Sequence, residues 1–295
     1  MLINILSKIL SKIKTNSKSI SESQNANHFN ELLVSYKIRP KIKDIFTDQN
    51  ALKSHLDGYS EEVLNEYIVA KSRLWLNGLN IDNFIFPPHV YSLLWIIQLV
   101  QARLDRPIRI IDFGGGAPTL PILLNQLGLS NRIDSYKIIE SPAFVRKIPQ
   151  EWKSTCSYSD VYCSDKCDLL ILSSVLPYLS KSLVKSVYEN IEKEPPRFIY
   201  FGRTSFLSAS YQADEAFTVQ ESKFREHGAQ IDVGMADVEE NIAKYVKRHF
   251  KWSEIDKVIG PLGYMRILSL ADDSGLENIK GLGLYSNNSL WERNE

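Results

Sequence analysis

The stretch Arg109-Ile-Ile-Asp-Phe-Gly-Gly-Gly-Ala-Pro-Thr-Leu120 places three glycines directly after an acid and an aromatic residue. Ile108, Ile110 and Ile111 read as a buried strand that the glycines end abruptly. Gly114 and Gly116 admit backbone conformations closed to other residues, and with Gly115 they clear side chains from where a ligand must approach. A helix bracketed by Pro118 and Gly128 follows at once, so its free N–H groups face whatever lies over the turn. A phosphate-binding loop would close on Gly-Lys-Ser/Thr, which this stretch lacks. A dinucleotide fold wants a third glycine where Thr119 stands, and it would set Asp112 against a pyrophosphate. S-adenosylmethionine (SAM) has no phosphate and carries an ammonium group, to which a carboxylate beside the turn is attractive. Asp112 with Gly114, Gly115 and Gly116 therefore predicts SAM rather than NAD as cofactor.

A second acid sits one strand–helix–strand unit further on. Glu140 ends Tyr136-Lys-Ile-Ile-Glu140, where a carboxylate can accept hydrogen bonds from both ribose hydroxyls of a nucleoside. Each acid also has a plain structural reading: Asp112 could cap the helix after the turn, and Glu140 the segment starting at Ser141. Asp160 lies where an acid can meet an adenine amino group, or is a solvated loop residue. Ligands of open α/β sheets bind outside the carboxyl ends of the strands, so Ser173, Ser174 and Tyr178 are expected to border cofactor or substrate, Tyr178 alternatively being a core aromatic. Arg203 and Thr204 follow the fifth strand at the same mouth. Arg203 suits a substrate carboxylate or phosphate, or else a surface ion pair. His89, His227 and His249 are candidate general bases, but no spacing selects one, and each reads first as a structural or surface residue.

The elements that must position these residues are short strands alternating with helices. Strands are expected at 108–113, 135–140, 168–173 and 197–201, and helices at 90–104, 119–127, 143–148 and 181–192. That alternation predicts a mostly parallel, Rossmann-like sheet covered on both faces. A helix over 253–259, stopped by Gly260 and Pro261, precedes two stretches, 264–270 and 279–286, that would pair as an antiparallel C-terminal edge. Upstream, 29–78 reads as mainly helical, most clearly Ser60 to Leu76. The expected organisation is an amphipathic helix and flexible linker over 1–27, a helical region over 28–88, and a cofactor-binding domain over 89–295 with an insert at about 205–252 capping the substrate pocket.

Bulk properties narrow the classes further. The 295 residues carry 35 Lys+Arg and 35 Asp+Glu, so net charge is zero and no nucleic-acid partner is expected. Cys156, Cys163 and Cys167 form an odd set in a chain too large to need disulfide staples, and they read as ordinary thiols of a reducing cytoplasm, with no metal. No apolar run approaches the roughly 20 residues that span a bilayer, and no secretory signal is expected. Residues 1–14, MLINILSKILSKIK, place Leu2, Ile5, Leu6, Ile9, Leu10 and Ile13 at helical spacing among lysines. Such a helix can lie in a membrane interface, or pack on this protein or a partner.

The order Asp-x-Gly-Gly-Gly, strand-ending Glu, then Asp168 with Leu172-Ser-Ser-Val-Leu-Pro-Tyr-Leu179 resembles class I SAM-dependent methyltransferases. More narrowly it is similar to a methyltransferase family linked to bacterial surface-polysaccharide gene clusters, through Gly58-Tyr59, Ile139-Glu140, Arg203-Thr204 and Val219-Gln220 as well, across roughly 50–290. One departure is that a charged stretch, Glu221 to Phe250, read as helix and loop, follows the Val-Gln. The resemblance implies methyl transfer, as O-methylation of a surface glycan or its lipid-linked precursor near the inner face of the cytoplasmic membrane. The competing readings are a non-catalytic scaffold that keeps the fold and an NAD-dependent enzyme.

Overall fold

A computed structural model describes residues 41–46, 88–162, 166–225, 240–271 and 285–294, together with the helical positions Asn65, Ile68, Val69, Ser72 and Leu76. The expectations for residues 1–14 and for His227 and Cys163 lie outside the described residues. The strands are β1 (Lys41–Phe46), β2 (Ile108–Phe113), β3 (Ile133–Ile139), β4 (Ser157–Ser159), β5 (Leu169–Ser173), β6 (Phe198–Leu207), β7 (Glu215–Arg225), β8 (Glu240–Lys251), β9 (Tyr264–Ala271) and β10 (Tyr285–Arg293). The helices are α1 (Pro88–Leu104), α2 (Thr119–Gln126), α3 (Pro142–Lys147), α4 (Gln150–Lys153), α5 (Lys181–Lys193) and α6 (Trp252–Ile259).

The central sheet runs β4-β3-β2-β5-β6, parallel throughout, and continues through β10, antiparallel to both β6 and β9. This is the expected Rossmann-like sheet with an antiparallel C-terminal strand. The middle strands are apolar on both faces because helices cover both. Leu169, Ile171, Phe198 and Tyr200 face one layer with Ile96, Ile97 and Val100 of α1 and Leu120, Leu123 and Leu124 of α2. Leu170, Leu172, Ile199 and Phe201 face the other, with Val187 and Ile191 of α5 and Ile255 and Ile259 of α6. Each such side chain removed from water stabilises the fold by about 1.5–3 kcal/mol.

Three expectations require correction. The stretch from Glu221 to Phe250 is not helix and loop where it is described: β7 and β8 form an antiparallel pair, with Glu215 opposite Phe250 and Arg225 opposite Glu240. Its charges suggested a solvated helix, but Thr218, Val219, Phe224, Ile242, Tyr245 and Val246 are strand formers whose preference is decided by pairing. Within the region read as helical, Lys41–Phe46 is a strand paired with β7, a partner remote in sequence that local pattern cannot reveal. While 279–284 lie outside the described residues, the last strand, expected to end at 286, runs on to Arg293 and includes Asn287, Asn288 and Ser289. These residues disfavour strands, yet Asn288 and Ser289 are buried and held between β6 and β9.

The strand β6 explains how the added hairpin reaches the carboxyl edge of the sheet. It is longer than β5, so after Ser173 ends its neighbour, Phe206 and Leu207 continue outward and pair with Phe250 and Lys251 of β8. At the opposite edge Asp168 fixes the loop between α1 and β2. Its carboxylate accepts from both Arg106 Nη atoms at 2.7 and 2.9 Å and from the Arg109 backbone N–H at 2.8 Å. Burial opposes ionisation there, but these donors outweigh it and hold the carboxyl below the usual range. Asp168→Asn should cost about 1–3 kcal/mol at pH 7, measured by urea unfolding. A depressed carboxyl stabilises above its unfolded pKa and loses that contribution as pH falls through the folded value. The gap between the two proteins should therefore close towards pH 3; an equal gap at both pH values would contradict the assigned role.

Candidate functional site

The turn between β2 and α2 is built from three glycines with three different jobs. Gly114 has φ +73°, and a Cβ there would stand 2.7 Å from Val175 Cγ2. A Cβ on Gly115 would lie 2.6 Å from the Asp112 carboxyl carbon, so this glycine makes room for the acid. Gly116 has φ +64°, and a Cβ there would meet nothing within 4 Å: the space over it is open. The turn therefore packs tightly on its protein side and is bare on its outer side.

Asp112 is folded back under this turn and buried, with Oδ2 accepting from the Tyr136 hydroxyl at 2.7 Å. Burial pushes its carboxyl up to about 7, the Tyr136 hydrogen bond opposes the shift, and the charge of Glu140 adds to it. Glu140 lies across the turn. Its Oε1 accepts from the Gly116 N–H at 3.0 Å and its Oε2 from the Ser141 N–H at 3.0 Å. Burial raises its pKa, and those two backbone donors pull the other way. Helix α3 is capped by the Ser141 hydroxyl, which accepts from the Phe144 N–H, and Glu140 also holds the N–H of Ser141, as its plain structural reading expected. The hydrogen bond of the Asp112 carboxylate is to Tyr136 and not to an N–H of α2.

Two tyrosines complete the turn and were not singled out from sequence. Tyr136 reaches Asp112 from β3, and the Tyr158 hydroxyl, on β4, donates to the Gly116 carbonyl at 3.0 Å. Both read as ordinary strand aromatics in sequence, because only the parallel register of β2, β3 and β4 sets them beside the turn. Asp160 follows β4 and is exposed.

On the other side, β5 ends in a second strained corner. Ser174 has φ +60° and its N–H donates to the Gly202 carbonyl at 2.7 Å. A Cβ on Gly202 would lie 2.9 Å from Ser173 Oγ and 2.5 Å from a Tyr200 ring carbon, so the approach of β5 to β6 requires a bare position. Val175 carries this corner onto Gly114. Tyr178 sits on the following short turn, Leu176–Tyr178, with the Lys247 ammonium 5.8 Å from its ring centroid.

Arg203 is exposed, in a left-handed conformation (φ +50°), with its N–H donated to Asn288 Oδ1 at 2.7 Å. Thr204 beside it is fully buried, and its hydroxyl returns to the Gly202 carbonyl at 3.2 Å. It shapes the bend and does not border the mouth. His249 is also buried, between Ser205 Oγ at 3.1 Å and Thr218 Oγ1 at 2.9 Å. Burial, then the charge of Lys247, push its pKa down to about 3. A histidine so enclosed ties β6 to β7 through both ring nitrogens; His89 lies on α1, partly exposed. Cys156 and Cys167 are raised to about 12 by burial, so both are protonated thiols at neutral pH.

No family model matches the chain, and no curated relative matches it. Solved structures with a similar fold include a SAM-dependent methyltransferase from Clostridium acetobutylicum, at 11% identity and TM-score 0.48, with 76% of this chain and 98% of that one covered. An amino pentose methyltransferase of calicheamicin biosynthesis from Micromonospora echinaspora, with SAM bound, gives 11% and 0.45 over 77% and 97%. Magnesium protoporphyrin IX methyltransferase from Synechocystis, also with SAM, gives 13% and 0.42 over 70% and 80%. At such identities and TM-scores these neighbours carry no weight for what this chain binds.

The buried acid makes a prediction of its own. With its pKa raised to about 7, Asp112 keeps a proton in the folded chain that the unfolded chain releases near pH 4. Stability is therefore lost as pH rises between those values, by up to roughly 4 kcal/mol. Asp112→Asn keeps an oxygen for Tyr136 and has no such loss. Its thermal midpoint should exceed that of the parent at pH 8 and match it near pH 4; a variant less stable at both would show that the carboxylate is not buried at a cost.

Proposed function

We propose that the chain is a SAM-dependent methyltransferase. The observation that supports this most directly is the pair of carboxylates around an open glycine: Asp112 beneath the turn and Glu140 across it, with bare space over Gly116. The residues suit this cofactor. Glu140 uses one lone pair on each oxygen for backbone N–H groups, leaving others to accept ribose hydroxyls. The Asp112 carboxyl, costly to ionise alone, is compensated by a nearby ammonium group, and SAM has one where NAD has a pyrophosphate. When bound, SAM supplies a methyl group on a positively charged sulfur.

This chain's own part is to align an acceptor and keep water out. In this reading Ser173, Ser174, Tyr178 and Arg203 border the acceptor, and the β7–β8 pair, which joins the end of β6, is the segment that would cap it. We infer that the acceptor is a hydroxyl of a surface glycan or its lipid-linked precursor, a reading supported by the resemblance of the Ser-Ser-Val-Leu-Pro-Tyr-Leu and Arg-Thr stretches. Residues 1–14 would then serve as a basic amphipathic contact with anionic lipid. Among the described residues no helix is long and apolar enough to cross a membrane.

SAM and S-adenosylhomocysteine should each raise the thermal midpoint, and Glu140→Ala should weaken SAM by about tenfold or more in calorimetry, from the loss of hydrogen bonds to a charged group. Stabilisation by NAD instead, or by no nucleoside at all, would replace this reading with the dinucleotide enzyme or the scaffold. Deleting residues 1–14 should release the protein from vesicles containing anionic lipid; undiminished sedimentation with them would remove the membrane contact.

A further inference from the structure

Resting on the methyltransferase reading, we propose that Arg203 and Lys247 form a two-cation subsite, walled by the Tyr178 ring, that binds an oxyanion carried by the methyl acceptor. Lys247 comes from β8, the strand that sequence pattern did not find, and it is only 9% exposed. Its ammonium lies 5.8 Å from the Tyr178 ring centroid. Among the described residues no carboxylate lies within ion-pair distance of Lys247 or of the Arg203 guanidinium, although Arg248, next along β8, is paired with both Glu215 and Glu254. A charge taken this far from water is ordinarily paired. Here the neighbour is another cation. Strands β6 and β8 pair in parallel at Phe206–Phe250 and Leu207–Lys251, so Arg203 and Lys247 stand at matching positions, each three residues before that pairing. After burial, the charge of Arg203 lowers the Lys247 pKa to about 8.

The geometry holds this repulsion in place. Arg203 sits in a left-handed conformation (φ +50°), which is strained for a residue with a side chain. The bend is fixed by the Asn288 side chain, which accepts the Arg203 N–H, and by Thr204, whose hydroxyl is tied to Gly202. On the β8 side, Thr218 and the buried Ser205–His249–Thr218 chain anchor the backbone that carries Lys247. Two strands are thus braced so that two cations share one mouth, an arrangement that an anion between them would relieve. Strand β6 carries Arg203 at the carboxyl edge of the sheet, one residue beyond Gly202, which contacts Ser173 and Ser174. The subsite therefore adjoins the proposed acceptor mouth and stands apart from Asp112 and Glu140.

A phosphate ester and a uronate carboxylate share the required chemistry, and they can be told apart with inorganic pyrophosphate and glucuronate, glucose serving as neutral control. Pyrophosphate or glucuronate should raise the thermal midpoint of the full chain where glucose does not, and calorimetry should show that Lys247→Met and Arg203→Met each weaken that anion by about tenfold or more. The stronger of the two anions names the acceptor class. SAM affinity should stay within about twofold in both variants, since neither side chain contacts the glycine turn. Anion binding that persists unchanged in both variants, or no anion binding by the parent chain, would overturn the subsite. If Lys247→Met does not fold, Arg203→Met decides, because its side chain is exposed and its N–H bond to Asn288 is retained. Loss of SAM binding in the parent chain together with charge-dependent anion binding would sink the methyltransferase reading and leave the subsite standing.

Discussion

A carboxyl group packed against a glycine that has no Cβ is the contact on which the site depends. Asp112 can lie beneath its own turn only because Gly115 leaves that space, and a methyl group there would overlap the acid. From that position the acid takes the hydroxyl of Tyr136 from β3, while Glu140, one strand over, holds the Gly116 N–H. Tyr158 from β4 takes the Gly116 carbonyl, and Val175 closes on Gly114 from β5. Four neighbouring strands therefore define one turn, and the turn has little freedom to move without breaking several polar contacts, of which the Asp112–Tyr136 bond is buried.

Rigidity of this kind is bought with stability. A buried acid raised to about 7, a second raised acid beside it and left-handed backbone at Ser174 and Arg203 all disfavour the folded chain. The remainder of the sheet offsets them. Its central strands are apolar on both faces, its helices cover both layers, and Asp168 clamps Arg106 and Arg109 at the far edge, away from the strained corners. The division matches the general placement of chemistry at the carboxyl ends of strands and of stabilising contacts at the other.

The long β6 links the two halves of the molecule. Its first residues are an ordinary central strand between β5 and β10. Its last residues outrun β5 and recruit β8, which turns the hairpin into a continuation of the sheet. The aromatic contacts at this junction, Phe206 against Phe250 and Trp252, and Trp252 stacked on Trp291, make it a packed joint. That joint is what gives Lys247 and His249 fixed positions relative to Arg203 and Ser205.

The sequence by itself determined the elements whose signal is local. The strand Ile108–Phe113 could be read from its isoleucines and the glycines that end it, and Asp112, Gly114, Gly115, Gly116 and Glu140 from a spacing that one strand–helix–strand unit imposes. These are properties of consecutive residues and short range. Tertiary structure alone decided that Tyr136 and Tyr158 serve the turn, that Thr204 and His249 are sealed inside, and that Lys41–Phe46, Glu215–Arg225 and Glu240–Lys251 are strands. The physical reason is that a strand has no internal hydrogen bonds: its backbone groups are satisfied by a partner that can lie far along the chain, so its residues do not record which partner that is.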